Sequence, residues 1–471
     1  MKHCTPTSFF SAILILSLPA VALADPAATP PPLPESAPAP SADDAAEAVP
    51  DTDAVPDADA APDWPADAAA DRIQEPAAEP QGPQVELPPE EGGPMLDLPP
   101  EDDQKNLSPR NRVLGQGMQV GSTNIGGYGE MHYNAVMPES GPNTNEVDFH
   151  RLVLYVGRQF NDDLSFYSEI EVEHAIVGDG KVGEVAVEQA YIDYRLSEHV
   201  PILGDLTLRT GIVLVPMGIV NQWHEPPIFH GVERPNVDKV IIPSTWREGG
   251  IGLVGKPHDQ VQFELYVMSG LDPLSFSRKS GIRGGRQKGG EARTDGLAFT
   301  GRAEFHPDAT SVIGVSGYFS QSGKNNDAID AKVPVLGVSA DVRGKYEGLE
   351  SRAEFAMFTI GDTDELNALM DADGNALVSV ADRLVGGFAE VAYDVLYTLD
   401  TEKQLLPFGR FEYYDTDADD DTRSIMDIVL GLSYRPIPQV VFKQDVTIRR
   451  KGGDVDGDNA TILNLGIGFL Y

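Results

Sequence analysis

The chain has 471 residues, 35 Lys and Arg against 74 Asp and Glu, a formal net charge of −39 and a hydrophobic content of 41%. That excess of negative charge repels phosphate backbones and excludes DNA and RNA as partners. A single cysteine excludes a disulfide framework within the chain.

Residues 1–24 read as a secretory signal peptide. Lys2 and His3 open it, an apolar run extends from Phe9 to Leu23, and Ala22-Leu23-Ala24 before Asp25 supplies small residues for cleavage. Cys4 leaves with this segment, so the mature chain has no thiol for metal binding or catalysis. From residue 25 to about 110, Pro, Ala, Asp and Glu dominate, Trp64 is isolated, and Arg72 is the sole basic residue before Lys105. Such a composition buries too little apolar surface to offset its ordering entropy. It predicts a disordered periplasmic linker, reaching on the order of 100–200 Å at ~3.1 Å per extended residue. The expected divisions are therefore a signal peptide over 1–24, a linker over 25–110 and a folded domain over 111–471.

From Ile125 onward, segments of period-two hydrophobicity alternate with Gly, Pro, Asn and Asp clusters. They predict strands at 125–135, 146–160, 163–174, 184–196, 206–215, 247–255, 259–268, 295–305, 309–320, 333–345, 348–360, 381–397, 403–414, 423–435, 438–450 and 459–471. The gaps alternate too. Asn161-Asp162, Pro257-His258, Glu347 and Pro436-Ile437 are tight, whereas 216–246, 269–294, 321–332 and 361–380 are long. No stretch offers the ~20 apolar residues of a membrane helix, which leaves the closed barrel as the membrane-spanning solution. The expected fold is all-β: a transmembrane antiparallel β-barrel of about sixteen strands in the outer membrane, preceded by the disordered segment. The last strand places Leu463, Leu465, Ile467, Phe469 and Tyr471 on one face and Asn464, Gly466 and Gly468 on the other.

If the apolar faces meet lipid, the opposite faces line the lumen. Period two then turns Glu169, Glu171 and Glu173 inward, along with Arg209, Arg302, Arg343, Arg352, Arg410 and Lys443. So many unpaired charges would be costly in a dry interior, so they predict a water-filled one. The long segment 216–246 predicts a constriction from Trp223, His224, Glu225, His230, Glu233 and Arg234, with Asp238 and Lys239 nearby. His224, Glu225, His230 and Glu233 include metal-ligand types, but spacing within a loop does not define a site, and no metal is assigned there. Arg278, Lys279, Arg283, Arg286 and Lys288 predict an extracellular anion funnel or a contact with lipopolysaccharide phosphate. Asp371-Ala-Asp373-Gly-Asn375 and Asp454-Val-Asp-Gly-Asp458 resemble fragments of calcium loops. The first has its glycine at position 4 rather than at the turn position, so Ca2+ is the only cofactor considered. No catalytic constellation is recognisable, neither a G-x-S-x-G elbow nor a shielded carboxylate pair.

Several short motifs in order resemble the phosphate-selective porin O and P family of Gram-negative bacteria. They are Phe149-His-Arg151-Leu-Val-Leu, Phe160-Asn-Asp-Asp-Leu-Ser-Phe166 leading to Glu169-Ile-Glu171, Gln189-Ala-Tyr-Ile-Asp-Tyr194, and Leu208-Arg-Thr-Gly-Ile-Val-Leu-Val-Pro-Met-Gly218. The resemblance implies a sixteen-stranded barrel, a homotrimer, and a loop after the fifth strand turned into the lumen. Leu214 stands where members often carry a lysine. The pore is therefore carried over and the solute is not. The expected activity is passive diffusion of small ions and polar solutes, anions such as phosphate among them. The alternative is a structural or adhesive barrel tethering the cell wall or surface partners.

Overall fold

The computed structural model describes residues 118–471 apart from 179–180, 197–203, 324–328, 330–331, 371–375, 420–422 and 453–458. The expected signal peptide, the linker and the two aspartate-rich segments 371–375 and 454–458 lie outside the described residues.

The strands in chain order are β1 (Met118–Val120), β2 (Thr123–Pro138), β3 (Thr144–Gln159), β4 (Leu164–Glu173), β5 (Val185–Arg195) and β6 (Asp205–Leu214), followed by β7 (Arg247–His258), β8 (Val261–Met268), β9 (Ala298–Asp308), β10 (Ser311–Gln321), β11 (Pro334–Tyr346) and β12 (Leu349–Ile360). The series ends with β13 (Arg383–Tyr393), β14 (Gln404–Asp415), β15 (Ser424–Ile437), β16 (Val440–Lys451) and β17 (Ala460–Leu470). Each of β2 to β17 pairs antiparallel with its sequence neighbours, and β17 returns to β2 in register Asn464↔Asn134, which closes a sixteen-stranded barrel. Closure removes the free edge that an open sheet would expose. The three-residue β1, which alternation did not signal, pairs with the start of β2 as Met118↔Ile125.

All sixteen predicted strands are present. Their ends differ by a few residues: ladder pairing carries β2 past the alternation to Pro138 rather than residue 135, whereas β9 starts only at Ala298 rather than residue 295. Tight turns at 259–260, 309–310, 347–348 and 438–439 lie at one rim, and the long connections 215–246, 269–297, 322–333 and 361–382 at the other.

The outer surface is apolar. Leu154, Ile251, Leu265, Val315, Leu336, Phe355, Val391, Leu430 and Phe442, from nine different strands, are all exposed. Exposed aromatics cluster toward the tight-turn rim (Tyr194, Phe305, Tyr346, Tyr393) and toward the long-loop rim (Phe299, Phe319, Tyr413). An apolar band between two aromatic girdles is the surface a lipid bilayer solvates. On the last strand, Leu465 and Tyr471 are exposed while Asn464 is buried. Gly468 faces the lumen so closely packed that an added Cβ would meet Pro226 at 2.4 Å. Among the described residues no helix is long and apolar enough to cross a membrane. The strands do the crossing: a closed barrel with an apolar outer band satisfies its backbone groups within a bilayer.

Candidate functional site

The connection 215–246 leaves the long-loop rim and turns into the lumen. Its entry depends on Gly218, whose φ is +70° and whose added Cβ would meet Glu354 at 2.5 Å and Ile242 at 2.7 Å. Asn221 closes the neck: its Nδ2 donates to the carbonyls of Val215 (2.7 Å) and Trp246 (3.0 Å), and its Oδ1 accepts from the Trp246 amide (2.7 Å). Met217, Phe229, Val237, Ile241, Ile242 and Trp246 are almost wholly buried. Trp246 packs against Tyr318 of β10 and Phe358 of β12 with ring centroids 4.7 and 6.1 Å apart.

An irregular segment cannot satisfy its own backbone groups, so the wall must do so. The wall cations donate to loop carbonyls: Arg352 to Ile228 (2.8 Å), Arg435 to Pro227 (2.6 Å), Lys443 to Gly231 (2.8 Å) and Arg410 to Glu233 (3.3 Å). The wall carboxylates accept from loop amides: Glu354 from Ile219 (2.8 Å), Asp445 from Val232 (2.7 Å) and Glu412 from Asn236 (2.6 Å). His230 lies between Glu390 (2.8 Å) and Glu350 (3.1 Å), and His224 between Glu169 (3.3 Å) and Glu188 (3.4 Å). Burial works to push the His224 imidazole down, but the two carboxylates outweigh it and hold it up at about 9. Burial, with Asp341 and Glu412 close by, raises the Asp238 carboxyl to about 7.

On the β2–β5 side the loop leaves a cavity of about 330 Å³. It is lined by Glu130, His132, His150, Arg151, Glu171, Glu173, His174, Glu184 and Glu188 from the β2–β5 wall and its connections. Glu233, Arg234 and Lys239 face it from the loop, and Arg247, Arg283, Arg286 and Lys288 from β7 and the 269–297 connection. Arg151 ties Glu130 (2.6 Å) to Glu171 (3.1 Å). Two bulges crowd charge onto this wall. Between Glu130 and His132 of β2, β3 inserts an extra residue, so His150 and Arg151 both line the cavity. Opposite Glu169 and Ile170 of β4, Glu188 is the extra residue of β5, so Glu188 and Gln189 are both buried.

A protein of Aquifex aeolicus (strain VF5), described only as an uncharacterized protein, is 37% identical over 338 residues, which covers 68% of this chain and 74% of that one. The chain belongs to its family. No family model matches the sequence. Among solved structures, an anion-selective porin from Comamonas acidovorans is similar at 12% identity and TM-score 0.48, covering 74% of this chain and 99% of that one. The outer membrane channel DcaP of Acinetobacter baumannii matches at 13% identity and TM-score 0.48, covering 75% and 99%. Salmonella typhi OmpF in complex with daunomycin matches at 12% identity and TM-score 0.49, covering 74% and 98%.

In this family member the residues singled out from the sequence divide into three groups. Glu171, Glu173, Glu233 and Arg234 line the cavity, and so do Arg283, Arg286 and Lys288. Arg283 also donates to the carbonyls of Lys239 (2.7 Å) and Ser244 (2.8 Å), and Arg286 to those of Pro243 (2.9 Å) and Thr245 (3.0 Å). These arginines therefore clasp the in-folded loop from above. The second group consists of holders of that loop: Arg352, Arg410 and Lys443 on the wall, Glu169 bound to His224, and Tyr155 donating to Glu225 (3.5 Å). The third group is fixed elsewhere. Arg209 makes a bidentate pair with Asp193 (2.7 and 2.8 Å) over the Tyr191 ring, and Arg302 pairs with Asp341 (2.6 Å). Arg343 pairs with Glu304 (2.8 Å) and Arg278 with Asp417 (3.1 Å). Trp223 is half-buried at the loop, and Lys279 is exposed on the 269–297 connection.

One expectation is corrected here. The inward charges are not a solvated row, since most are buried and ion-paired, because the loop displaces water from that half of the lumen. His224 and His230 of the loop engage different carboxylate pairs on opposite walls. Lys239, expected near the constriction, lines the cavity too, whereas Glu130, His132, His150, Arg151, His174, Glu188 and Arg247 did not stand out in the sequence as site residues. The available signal was the inward parity of Glu130 and His132 on β2.

Proposed function

We propose that the protein is a passive diffusion porin for small ions and polar solutes, with the in-folded loop setting the aperture and the charged cavity ranking what passes. The observation that carries this reading is the cavity of about 330 Å³ beside the loop, walled by carboxylates and cations in near balance. It has room for a cluster of waters or a small hydrated ion. Opposed charges across such a space orient polar solutes and tune selectivity. Arg283, Arg286 and Lys288 give its long-loop side a local positive bias that admits anions such as phosphate. A homotrimer in lipid and lipopolysaccharide, with the acidic 25–110 segment as a periplasmic tether, completes the proposal.

Stepwise conductance of the purified protein in planar bilayers, with a reversal potential across a salt gradient, tests it. A porin gives discrete steps, and the sign of the potential ranks anions against cations. One observation favours the second reading, a closed structural or adhesive barrel: Trp246, Ile241 and Ile242 are fully buried within the lumen. That barrel conducts nothing and is indifferent to shortening of 219–245.

A further inference from the structure

Asp148 and His150 project from β3 on the lumen side, and His174 follows the last residue of β4. A single carboxylate oxygen, Oδ2 of Asp148, stands 2.8 Å from His150 Nδ1 and 2.9 Å from His174 Nδ1. The three donor atoms lie within 4.8 Å of one another. His174 adopts φ 55°, left-handed for a residue with a side chain, in the conformation that turns its imidazole onto Asp148. Its amide donates to the His150 carbonyl (3.3 Å), which fixes the chain beside β3.

We infer that Asp148, His150 and His174 form a binding site for a divalent first-row transition cation of the zinc type. Two imidazoles and one carboxylate are a donor set for such ions, which take His nitrogen at ~2.0–2.1 Å and keep an open position for water. Magnesium and calcium prefer all-oxygen shells, so they are the wrong class for this set. Both imidazoles line the cavity, which gives the ion a way in and leaves room for its remaining water ligands. Each imidazole would offer its Nδ1 lone pair to the ion and carry its proton on Nε2. The ring of His132 stacks on His150 at 4.8 Å and steadies it.

The other cluster of similar composition lacks these properties. Glu169, Glu188 and His224 are all buried and do not open together on the cavity, and the Arg247 guanidinium lies 3.6 Å from Glu188, where its charge opposes a cation. Among the described residues no lysine or arginine is ion-paired to Asp148, and the cluster is half-buried. A cation held there would link β3 to the 174–184 connection at the cavity wall, whether or not solutes pass through the barrel.

The experiment is zinc titration of the full chain, free of any histidine tag and refolded in detergent without lipopolysaccharide, followed by calorimetry and by competition with a chromogenic chelator. One zinc per chain is expected, undisturbed by millimolar calcium or magnesium. His174→Ala and Asp148→Asn should each weaken affinity by about 10- to 100-fold or more, and His224→Gln should leave it unchanged. Heat-modifiable migration on electrophoresis reports folding, and if His174→Ala does not fold, the near-isosteric Asp148→Asn decides. Absence of saturable zinc binding overturns the inference, as does unchanged affinity in the folded variants or a loss confined to His224→Gln. Because the readout is binding, a barrel that binds zinc without conducting refutes the porin proposal and leaves this one standing.

Discussion

The two halves of the lumen use the same residue types for opposite ends. Along β12 to β16, Arg, Lys, Asp and Glu turn to the backbone of the 215–246 loop, and the space between them is filled by apolar side chains such as Ile241 and Ile242. Along β2 to β5, Glu130, Arg151, Glu171 and Glu173 face a cavity instead. An inward charge is thus not by itself a pore charge. What distinguishes the halves is whether a piece of backbone with unmet hydrogen-bonding capacity lies within reach.

Removing the filled half is the most severe test of that contrast. Deleting 219–245 should raise single-channel conductance severalfold and abolish the size cutoff, and an unchanged conductance would mean that the loop does not define the aperture. Smaller damage to the same half should loosen the loop without removing it. Arg352→Ala strips Ile228 of its donor and separates a guanidinium from Glu390, which lies 3.1 Å away. Breaking a buried pair of this kind costs about 3–5 kcal/mol. Asn221→Ala removes three neck hydrogen bonds and should cost about 2–3 kcal/mol. Limited proteolysis within 219–245 should be faster in both variants while the barrel itself stays resistant.

Alkaline pH should act in the same direction. His224, held at about 9 by Glu169 and Glu188 with Arg234 bonded to its carbonyl, contributes stability that is full below its ordinary 6.5 and is lost as pH rises through about 9. Asp238, whose carboxyl is raised to about 7 by burial, adds a cost as pH rises from its ordinary 3.8 through about 7. Loop cleavage or current noise should therefore increase between pH 6.5 and 9.5, by on the order of 3 kcal/mol from the histidine. His224→Gln should flatten the upper part of that profile.

The mildest test compares one charge from each kind of environment. Arg151→Gln removes the guanidinium from Glu171 and leaves Glu130 to His132 alone (3.2 Å), and should move the reversal potential toward cations. Arg343→Gln, whose partner Glu304 lies on β9 away from the cavity, should move it less. Equal shifts would show that solutes also pass along the β9–β11 wall.

Much of the fold was legible because a lipid-facing strand must alternate. The repeat that exposes Leu154, Val315 and Phe442 to the bilayer is visible within each strand's own short window. The candidate site was less legible. Glu171 and Glu173 follow the simple parity of β4, but Glu188 and His150 join the wall only through bulges, and one extra residue in a ladder leaves no mark in hydrophobic periodicity. The arginines of 269–297 stood out as a cluster, yet nothing local says that Arg283 and Arg286 reach down to carbonyls some 40 residues earlier while Arg278 pairs with Asp417.

The sequence by itself determined the membrane-spanning architecture, because the bilayer imposes one rule on every strand, apolar outward and hydrogen bonds to both neighbours. Tertiary structure alone decided which half of the lumen is filled and which charges remain beside open space. That choice depends on where an irregular loop comes to rest, and its backbone donors and acceptors find partners on strands more than a hundred residues away.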